Sequence, residues 1–301
     1  MNANNAPEFP EIGGIVHLDH VNFQVPDQDM ATMFFMNGLG LARDPFQRVD
    51  ETNMGVNIGM EQLHLPRRDR ATPPYPGEVG LVVPRIDVIR VRLERLARNG
   101  RFDGTPYSFA PDGEGRALVR SPFGFLVRLH EAGAVPFQRP LGIAYVETWV
   151  PPGTSAAISR FYEDVFRAPV DRRPFGGCAA VAVAAGPYQS WRFVERETDS
   201  YETHSMHVSF YTTGYGAIRE RLIGAGVTDG GTRDHVYFFD RVFDPATGKT
   251  VFRVINEVRS LYHPDFRRPL ANRWPIVDSP FRDPGDIEAE LERELGEVPR
   301  G

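Results

Sequence analysis

The heptapeptide HLDHVNF, residues 17–23, returns near the other end of the chain as HSMHVSF, residues 204–210. Both copies follow the pattern His-x-x-His-Val-polar-Phe, and equivalent positions lie 187 residues apart. Each copy opens a run that is rich in strand-forming residues. A pattern repeated at this distance predicts that the chain is built from similar units.

The bulk composition is that of a core-forming globular protein. The chain has 301 residues, of which 41% are hydrophobic and 25% charged, and this length predicts about two domains. The net charge of −6 and the pI near 5.8 offer no basic face for nucleic acid or an anionic membrane. The single cysteine, Cys178, excludes an internal disulfide framework. The first residues lack a basic segment followed by an apolar stretch, so we expect a cytoplasmic protein.

Four units of the order strand–helix–strand–strand–strand follow one another along the chain. Each opens with a β-rich run, continues into an amphipathic helix and closes with further strands. The opening runs are HLDHVNFQVP, GEVGLVVP, GIAYVETWVPP and HSMHVSFY. The helices are predicted in DQDMATMFFMNGLGL, IDVIRVRLERLARNG, TSAAISRFYEDVFRAP and YGAIRERLIGAGV.

These units divide the chain into predicted segments. Residues 1–14 form an N-terminal tail, 15–137 a first domain of two units, and 138–258 a second domain of two units. No strand pattern continues after these units. Residues 259–301 form a Pro- and Arg-rich C-terminal extension, which we expect to be solvated or to pack against the rest of the protein.

The chain resembles the vicinal oxygen chelate superfamily, which includes glyoxalase I, bleomycin-resistance proteins and extradiol ring-cleaving dioxygenases. The resemblance is carried by HLDHVNFQVPD, FFMNGLGL, SPFGFLVRL and DPATGKTVFRV, and covers residues 15 to about 258. It implies an α+β fold in which four βαβββ modules form two glyoxalase/extradiol-dioxygenase-like domains with curled mixed sheets. One such architecture supports many reactions, so the chemistry has to be inferred from the site.

The resemblance places a metal ligand in the opening strand of a unit, at the position of His20. Alignment of the four openings puts His20, Gly80, Tyr145 and His207 in equivalent places. Only the first and fourth units keep a ligating side chain there. In the hydroquinone-cleaving dioxygenases of the superfamily these same two units supply the ligands, which implies one cleft shared by units one and four.

A third ligand is expected in the last strand of the fourth unit. The motif usually has Glu directly after TVF, where this chain has Arg253, a departure that leaves the triad open. Glu257 points to the same strand face about 13 Å further along, and its competing interpretation is a surface carboxylate paired with Arg253 or Arg259. With His20 and His207, Glu257 would complete the two-His, one-carboxylate set typical of Fe(II) oxygenases, with Mn(II) as the alternative ion.

Further histidines are weighed beside this triad. His235 and Tyr237 in HVYFF are predicted to face the cleft as a catalytic acid–base group and a hydrogen-bond donor. His17 and His204 are interpreted as residues at the start of strands. His64 and His130 end closing strands and are alternative ligands, whereas His20 and His207 could instead be half-buried strand histidines satisfied by hydrogen bonds.

Three functions remain open at this point. The leading one is an Fe(II)-dependent dioxygenase that opens a catechol- or hydroquinone-type ring, with a small phenolic substrate and O₂ as partners. The second is a glyoxalase-type metal-dependent lyase or isomerase, which uses no O₂. The third is a metal-free protein that binds an aromatic small molecule, with Arg253 as a sign of lost chemistry. A homo-oligomer is compatible with each.

Overall fold

The computed structural model describes residues 14–44, 52–68, 74–201, 203, 206–228 and 235–266. Residues 1–13 of the predicted N-terminal tail lie outside these ranges. So do His204 and most of the C-terminal extension. None of the described helices has the length and apolar character needed to cross a membrane. The helices are α1 (Gln28–Ala31), α2 (Ile86–Arg98), α3 (Ser155–Phe166) and α4 (Tyr215–Gly224). The strands are β1 (Ile15–Phe23), β2 (Ala42–Arg43), β3 (Gly55–Ile58), β4 (Glu61–His64), β5 (Gly77–Val83), β6 (Ser108–Pro111), β7 (Arg116–Arg120), β8 (Leu126–Glu131), β9 (Gly142–Val150), β10 (Val170–Asp171), β11 (Ala180–Gly186), β12 (Gln189–Glu195), β13 (Met206–Thr212), β14 (Val236–Phe243) and β15 (Thr250–Ser260).

The four predicted helices are present, but the first is not a regular α-helix. The carboxylate of Asp27 accepts a hydrogen bond from the backbone N–H of Met30 and caps α1, as the sequence predicts. After one α-helical turn the chain widens into a π-helix over Thr32–Gly38. Gly38 ends this π-helix where a Cβ atom would lie 2.5 Å from the side chain of Leu93 on α2. The absence of a side chain at this position therefore allows the first and second helices to approach closely.

The strands form two mixed sheets. The first sheet has the order β14-β15-β13-β1-β4-β3-β2, and the second has the order β10-β11-β12-β9-β5-β8-β7-β6. The first sheet therefore combines units one and four, and the second combines units two and three. Unit four contributes two closing strands within the described residues, whereas each of the other units contributes three.

At the centre of each sheet the opening strands of two units run antiparallel. β1 pairs with β13 in the first sheet, and β5 pairs with β9 in the second. Each opening strand also pairs in parallel with the last strand of its own unit. The sequence repeat near the two ends of the chain is thus a pair of neighbouring strands. The predicted division into residues 15–137 and 138–258 follows the chain, whereas hydrogen bonding joins the outer units and the inner units.

One continuous apolar core joins both sheets. It includes side chains of all four units, among them Phe34, Leu93, Phe161 and Leu222, and each is essentially inaccessible to solvent. The helices pack on one face of the strands, so residues of alternate parity along each strand point to the opposite, more polar face. His20 and His207, the second histidine in each copy of the repeat, lie on that opposite face of the first sheet.

Candidate metal centre

A row of hydrogen-bonded strands brings His20 and Glu257 to the same level of the first sheet. His20 on β1 is the Cα partner of Ser209 on β13, and Ser209 is in turn the partner of Glu257 on β15. His207 lies two residues before Ser209 and therefore points to the same face of the sheet. The small side chain of Ser209 leaves the space in which the three larger side chains meet.

The three predicted ligands converge through single atoms. Nε2 of His20 lies 3.3 Å from Nε2 of His207 and 3.7 Å from Oε2 of Glu257. Nε2 of His207 lies 3.4 Å from the same carboxylate oxygen. His20 and Glu257 are buried, and the side chain of His207 retains 20% of its exposure, so the group is reached by solvent from the side of His207.

Asp19 orients the imidazole of His20. Its Oδ2 lies 2.8 Å from Nδ1 of His20. Neighbouring residues of a regular strand point to opposite faces, but the register of β1 against β13 shifts between Leu18 and His20. This bulge turns Asp19 towards its neighbour. An Nδ1–H that donates to Asp19 leaves the lone pair of Nε2 free for a ligand, which is the arrangement that protein metal sites commonly use.

Arg259 balances the charges around the group. It lies two residues after Glu257 on the same face of β15, and its guanidinium bonds the carboxylates of both Glu257 and Asp19. Burial works to raise the pKa of Glu257, but the nearby histidines and Arg259 hold it well below its usual range. Burial likewise opposes the ionisation of Asp19, yet its bond to His20 and the charge of Arg259 lower its pKa to about 2. Both carboxylates are therefore ionised at neutral pH.

The donor set fits a divalent metal ion. Burial lowers the pKa of His207, which favours the neutral imidazole that a metal requires. The three converging atoms form a nearly equilateral triangle with edges between 3.3 and 3.7 Å. An ion about 2.0–2.2 Å from each atom, the usual length of metal–nitrogen and metal–oxygen bonds, spans a triangle of this size. Two imidazoles and one carboxylate on one face also leave coordination positions open.

His64 belongs to the same pocket, whereas His130 does not. The ring of His64 stacks on that of His20, with centroids 3.8 Å apart, and its Nε2 lies 3.1 Å from Oε1 of Gln62. Burial and the neighbouring His20 hold the pKa of His64 well below its usual value. The two alternative ligands therefore lie in different clefts, because β4 belongs to the first sheet and β8 to the second.

The predicted placement of Tyr237 and His235 in the cleft is wrong. Tyr237 pairs with Val258 on the core face of the sheet, is fully buried, and packs on the ring of Tyr215 with centroids 4.9 Å apart. Its hydroxyl has no hydrogen-bond partner within the described residues. His235 precedes β14 in a left-handed backbone conformation with φ of 65° and is exposed. Tyr237 faces away from the cleft because the register of β14 assigns the cleft to residues of the other parity, whereas His235 lies before the first paired residue of this strand.

Phe238 is the residue that β14 directs to the site. It pairs with Glu257, its ring lies 6.0 Å from that of His207, and it is 49% exposed. An alternation of side chains along HVYFF is visible in the sequence, but the choice between the two faces depends on the partner strand.

Arg253 does not stand in the place of a ligand. Its guanidinium is exposed and bonds Asp240 of β14 at 2.8 Å. It lies four residues from Glu257 along β15, whereas Glu257 is level with His20 through Ser209. The departure of the closing motif therefore leaves the converging triad intact. The competing interpretation of Glu257 as a surface carboxylate is wrong, since only 6% of its surface is accessible.

Comparison with known proteins identifies the architecture through structure alone. No protein-family model and no curated protein matches the sequence. A Bacillus subtilis protein described as a "putative dioxygenase" superposes with a TM-score of 0.59 at 14% identity, covering 95% of this chain and 98% of its own. Glyoxalase I from Zea mays superposes with a TM-score of 0.55 at 13% identity, covering 83% of this chain and 93% of its own. At such identities the likeness establishes the fold and no more: the chain shares the α+β fold of these two proteins, with two open mixed sheets, as the sequence resemblance predicts.

Proposed function

We propose that His20, His207 and Glu257 bind a divalent metal ion, Fe(II) in the first place and Mn(II) as the alternative. The observation that carries the proposal is the convergence of Nε2, Nε2 and Oε2 within 3.3–3.7 Å of one another. Hydrogen bonds with neighbouring side chains orient two of these three groups: His20 donates to Asp19, and Glu257 accepts from Ser209. A hydrogen-bonded imidazole and a hydrogen-bonded carboxylate are the usual surroundings of a metal ion in a protein.

On this basis the protein is a dioxygenase that opens a catechol- or hydroquinone-type ring. A bound Fe(II) ion would supply a Lewis acid for phenolic oxygens and a redox centre for O₂. The two-His, one-carboxylate donor set favours this reaction class because it leaves adjacent positions for two reactants. The half-exposed ring of Phe238 beside His207 offers an aromatic substrate a surface on which to pack.

The residues around the triad have separable roles in this proposal. Asp19 holds the tautomer of His20, and Arg259 keeps Asp19 and Glu257 ionised and oriented. His64 is neutral at physiological pH because of burial, so it is able to accept a proton from a phenol that binds next to His20. His64 takes over the acid–base role that the sequence assigned to His235.

Metal analysis and oxygen uptake on the same preparation test the proposal. Protein isolated without added metal should contain one transition metal ion per chain, and the Fe(II)-loaded form should consume O₂ with catechols or hydroquinones. The Glu257→Ala variant should lose both properties while it keeps its circular dichroism spectrum. Glu220→Ala is the matched control, because its carboxylate is exposed on α4 and bonds only its half-buried neighbour Arg219 among the described residues.

Two other outcomes would each contradict the proposal. A metal ion that is bound through Glu257 without O₂ uptake on any phenol would indicate a glyoxalase-type lyase or isomerase. Wild-type protein that neither contains nor binds a transition metal ion would indicate a metal-free binding protein.

A further inference from the structure

The second sheet repeats the strand register that brings the triad together in the first. On β15, Glu257 lies two residues beyond the partner of His207. On β9, Tyr145 occupies the place equivalent to His207, and its partner on β12 is Ser190. Two residues beyond Ser190 is Arg192. A guanidinium thus occupies the position in the second cleft that a carboxylate occupies in the first.

Arg192 lacks a close counter-ion in the part of the chain that the structure describes. Its guanidinium carbon lies 3.6 Å from the centroid of the Tyr145 ring and 4.7 Å from that of Phe175. Among the residues that the structure describes, no carboxylate oxygen lies within 4.0 Å of its nitrogens. Its cross-strand neighbour Glu147 instead accepts a hydrogen bond from Nε1 of Trp149, and burial raises the pKa of Glu147. Burial lowers the pKa of Arg192, and nearby Glu147 and Glu78 oppose this shift only in part, so an external anion would supply the direct ion pair that the guanidinium lacks among the described residues.

The other two carboxylates that line this cleft, those of Glu78 and Asp112, are both paired with Arg128. Glu78 receives two hydrogen bonds from Arg128, at 2.7 and 2.8 Å, and a third from the hydroxyl of Tyr145 at 2.8 Å. His130 lies 3.1 Å from the same hydroxyl. Burial and nearby arginines lower its pKa to about 4, so it is neutral, and its buried Nδ1 has no partner in the described part of the chain. The cleft therefore offers a cationic group and an unused polar nitrogen instead of a cation-binding set.

An apolar cavity of about 650 Å³ adjoins this polar cleft. Arg192 lines both spaces. Phe137, Phe175, Ala182 and Ala184 are among the residues that line the cavity. Ala182 lies directly opposite Arg192 on the neighbouring strand β11. A volume of this size accommodates a small organic molecule.

We propose that this second cleft binds a small aromatic carboxylate, with its carboxylate group on Arg192 and its ring in the apolar cavity. The site is separate from the triad of the first sheet and does not depend on the function proposed for it. Because guanidinium and carboxylate pair through two parallel hydrogen bonds, Arg192 would select the charged group and the cavity would select the ring.

Calorimetric titration with 2-naphthoate, and with its uncharged counterpart 2-naphthamide, tests this proposal on the full chain. Chelator-treated protein is used, so that no metal ion in the first cleft can bind the carboxylate. Wild-type protein should bind one 2-naphthoate per chain, about ten- to hundredfold more tightly than 2-naphthamide. Arg192→Gln should abolish this preference. Ala182→Phe, which retains the guanidinium but fills the cavity beside it, should weaken both ligands, whereas the exposed control Arg90→Gln on α2 should change neither.

Three results would each overturn the proposal. They are the absence of measurable 2-naphthoate binding to the wild type, equal affinities for the two ligands, and an unchanged preference in Arg192→Gln. If Arg192→Gln does not fold, as judged by circular dichroism, Ala182→Phe decides, because an unchanged affinity for 2-naphthoate in that variant contradicts the assigned cavity.

Discussion

The Asp19→Asn substitution tests whether the hydrogen bond behind His20 prepares it as a ligand. The substitution keeps the size of the side chain but removes its charge and lets an amide N–H face Nδ1 of His20. An imidazole that accepts a hydrogen bond at Nδ1 carries its own proton on Nε2, the atom that faces His207 and Glu257. The variant therefore favours the tautomer that cannot bind a metal ion.

The expected loss follows from the position of Asp19. Loss of such an orienting partner typically weakens metal binding about 10- to 100-fold, or about 1.4–2.7 kcal/mol. Asp19 is 7% exposed and bonds both His20 and Arg259, so water is poorly placed to replace it. We therefore expect a value near the upper end of this range, close to hundredfold.

Titration of metal-free protein with Mn(II), which is stable in air, measures this loss directly. Circular dichroism checks that the variant is folded. Asp87→Asn is the matched control, because Asp87 is exposed and pairs with the exposed Arg85 near the start of α2. A folded Asp19→Asn variant with the Mn(II) affinity of the wild type would refute the reasoning.

Three further substitutions test the packing and the charges around the two clefts. Arg259→Met should lower the free energy of unfolding by about 3–5 kcal/mol in denaturant melts, since it leaves the buried carboxylates of Asp19 and Glu257 without their cationic partner. Arg253→Met, which removes the exposed ion pair with Asp240, should lower it by less than about 1 kcal/mol. Gly80→Ala should lower the melting temperature, because its Cβ would lie 2.2 Å from a tyrosine ring of β9, whereas Gly216→Ala meets nothing within 4 Å and should be tolerated. Burial raises the pKa of Glu61 to about 7, so the folded state retains a proton that the unfolded state releases, and stability should fall by roughly 3 kcal/mol between pH 4.5 and 7. Glu61→Gln should flatten this part of the stability–pH profile, and an unchanged slope would contradict the assignment.

The fold and the meeting of the two histidines are predictable from the sequence because both depend on repetition. Four openings and four helical stripes are visible as periodic patterns, and their equivalence singles out His20 and His207. Glu257 is found by its strand parity, although its level in the sheet is not visible. That level is set by the parallel pairing of β13 with β15, in which Ser209 faces Glu257.

Features that depend on irregular backbone or on strand register are missed. Asp19 precedes His20 and would point away from it in a regular strand, so only the bulge in β1 brings the two together. Tyr237 is assigned to the wrong face because the sequence shows alternation without showing which parity faces the helices. The π-helix after α1, in which Phe34 and Phe35 are buried, is likewise not predicted, because the spacing of apolar residues does not separate it from an α-helix.

The closing strands decide what each cleft is able to bind. Both sheets have two antiparallel opening strands at the centre and a parallel closing strand on either side. In the first sheet Glu257 lies two residues past the strand partner of His207, and in the second Arg192 lies two residues past the strand partner of Tyr145. A carboxylate beside two imidazoles favours a cation, whereas a guanidinium beside a phenol and a neutral imidazole favours an anion. The same backbone register thus supports clefts with opposite electrostatic preferences. Glu257 on one closing strand and Arg192 on the other determine whether a cation or an anion is favoured.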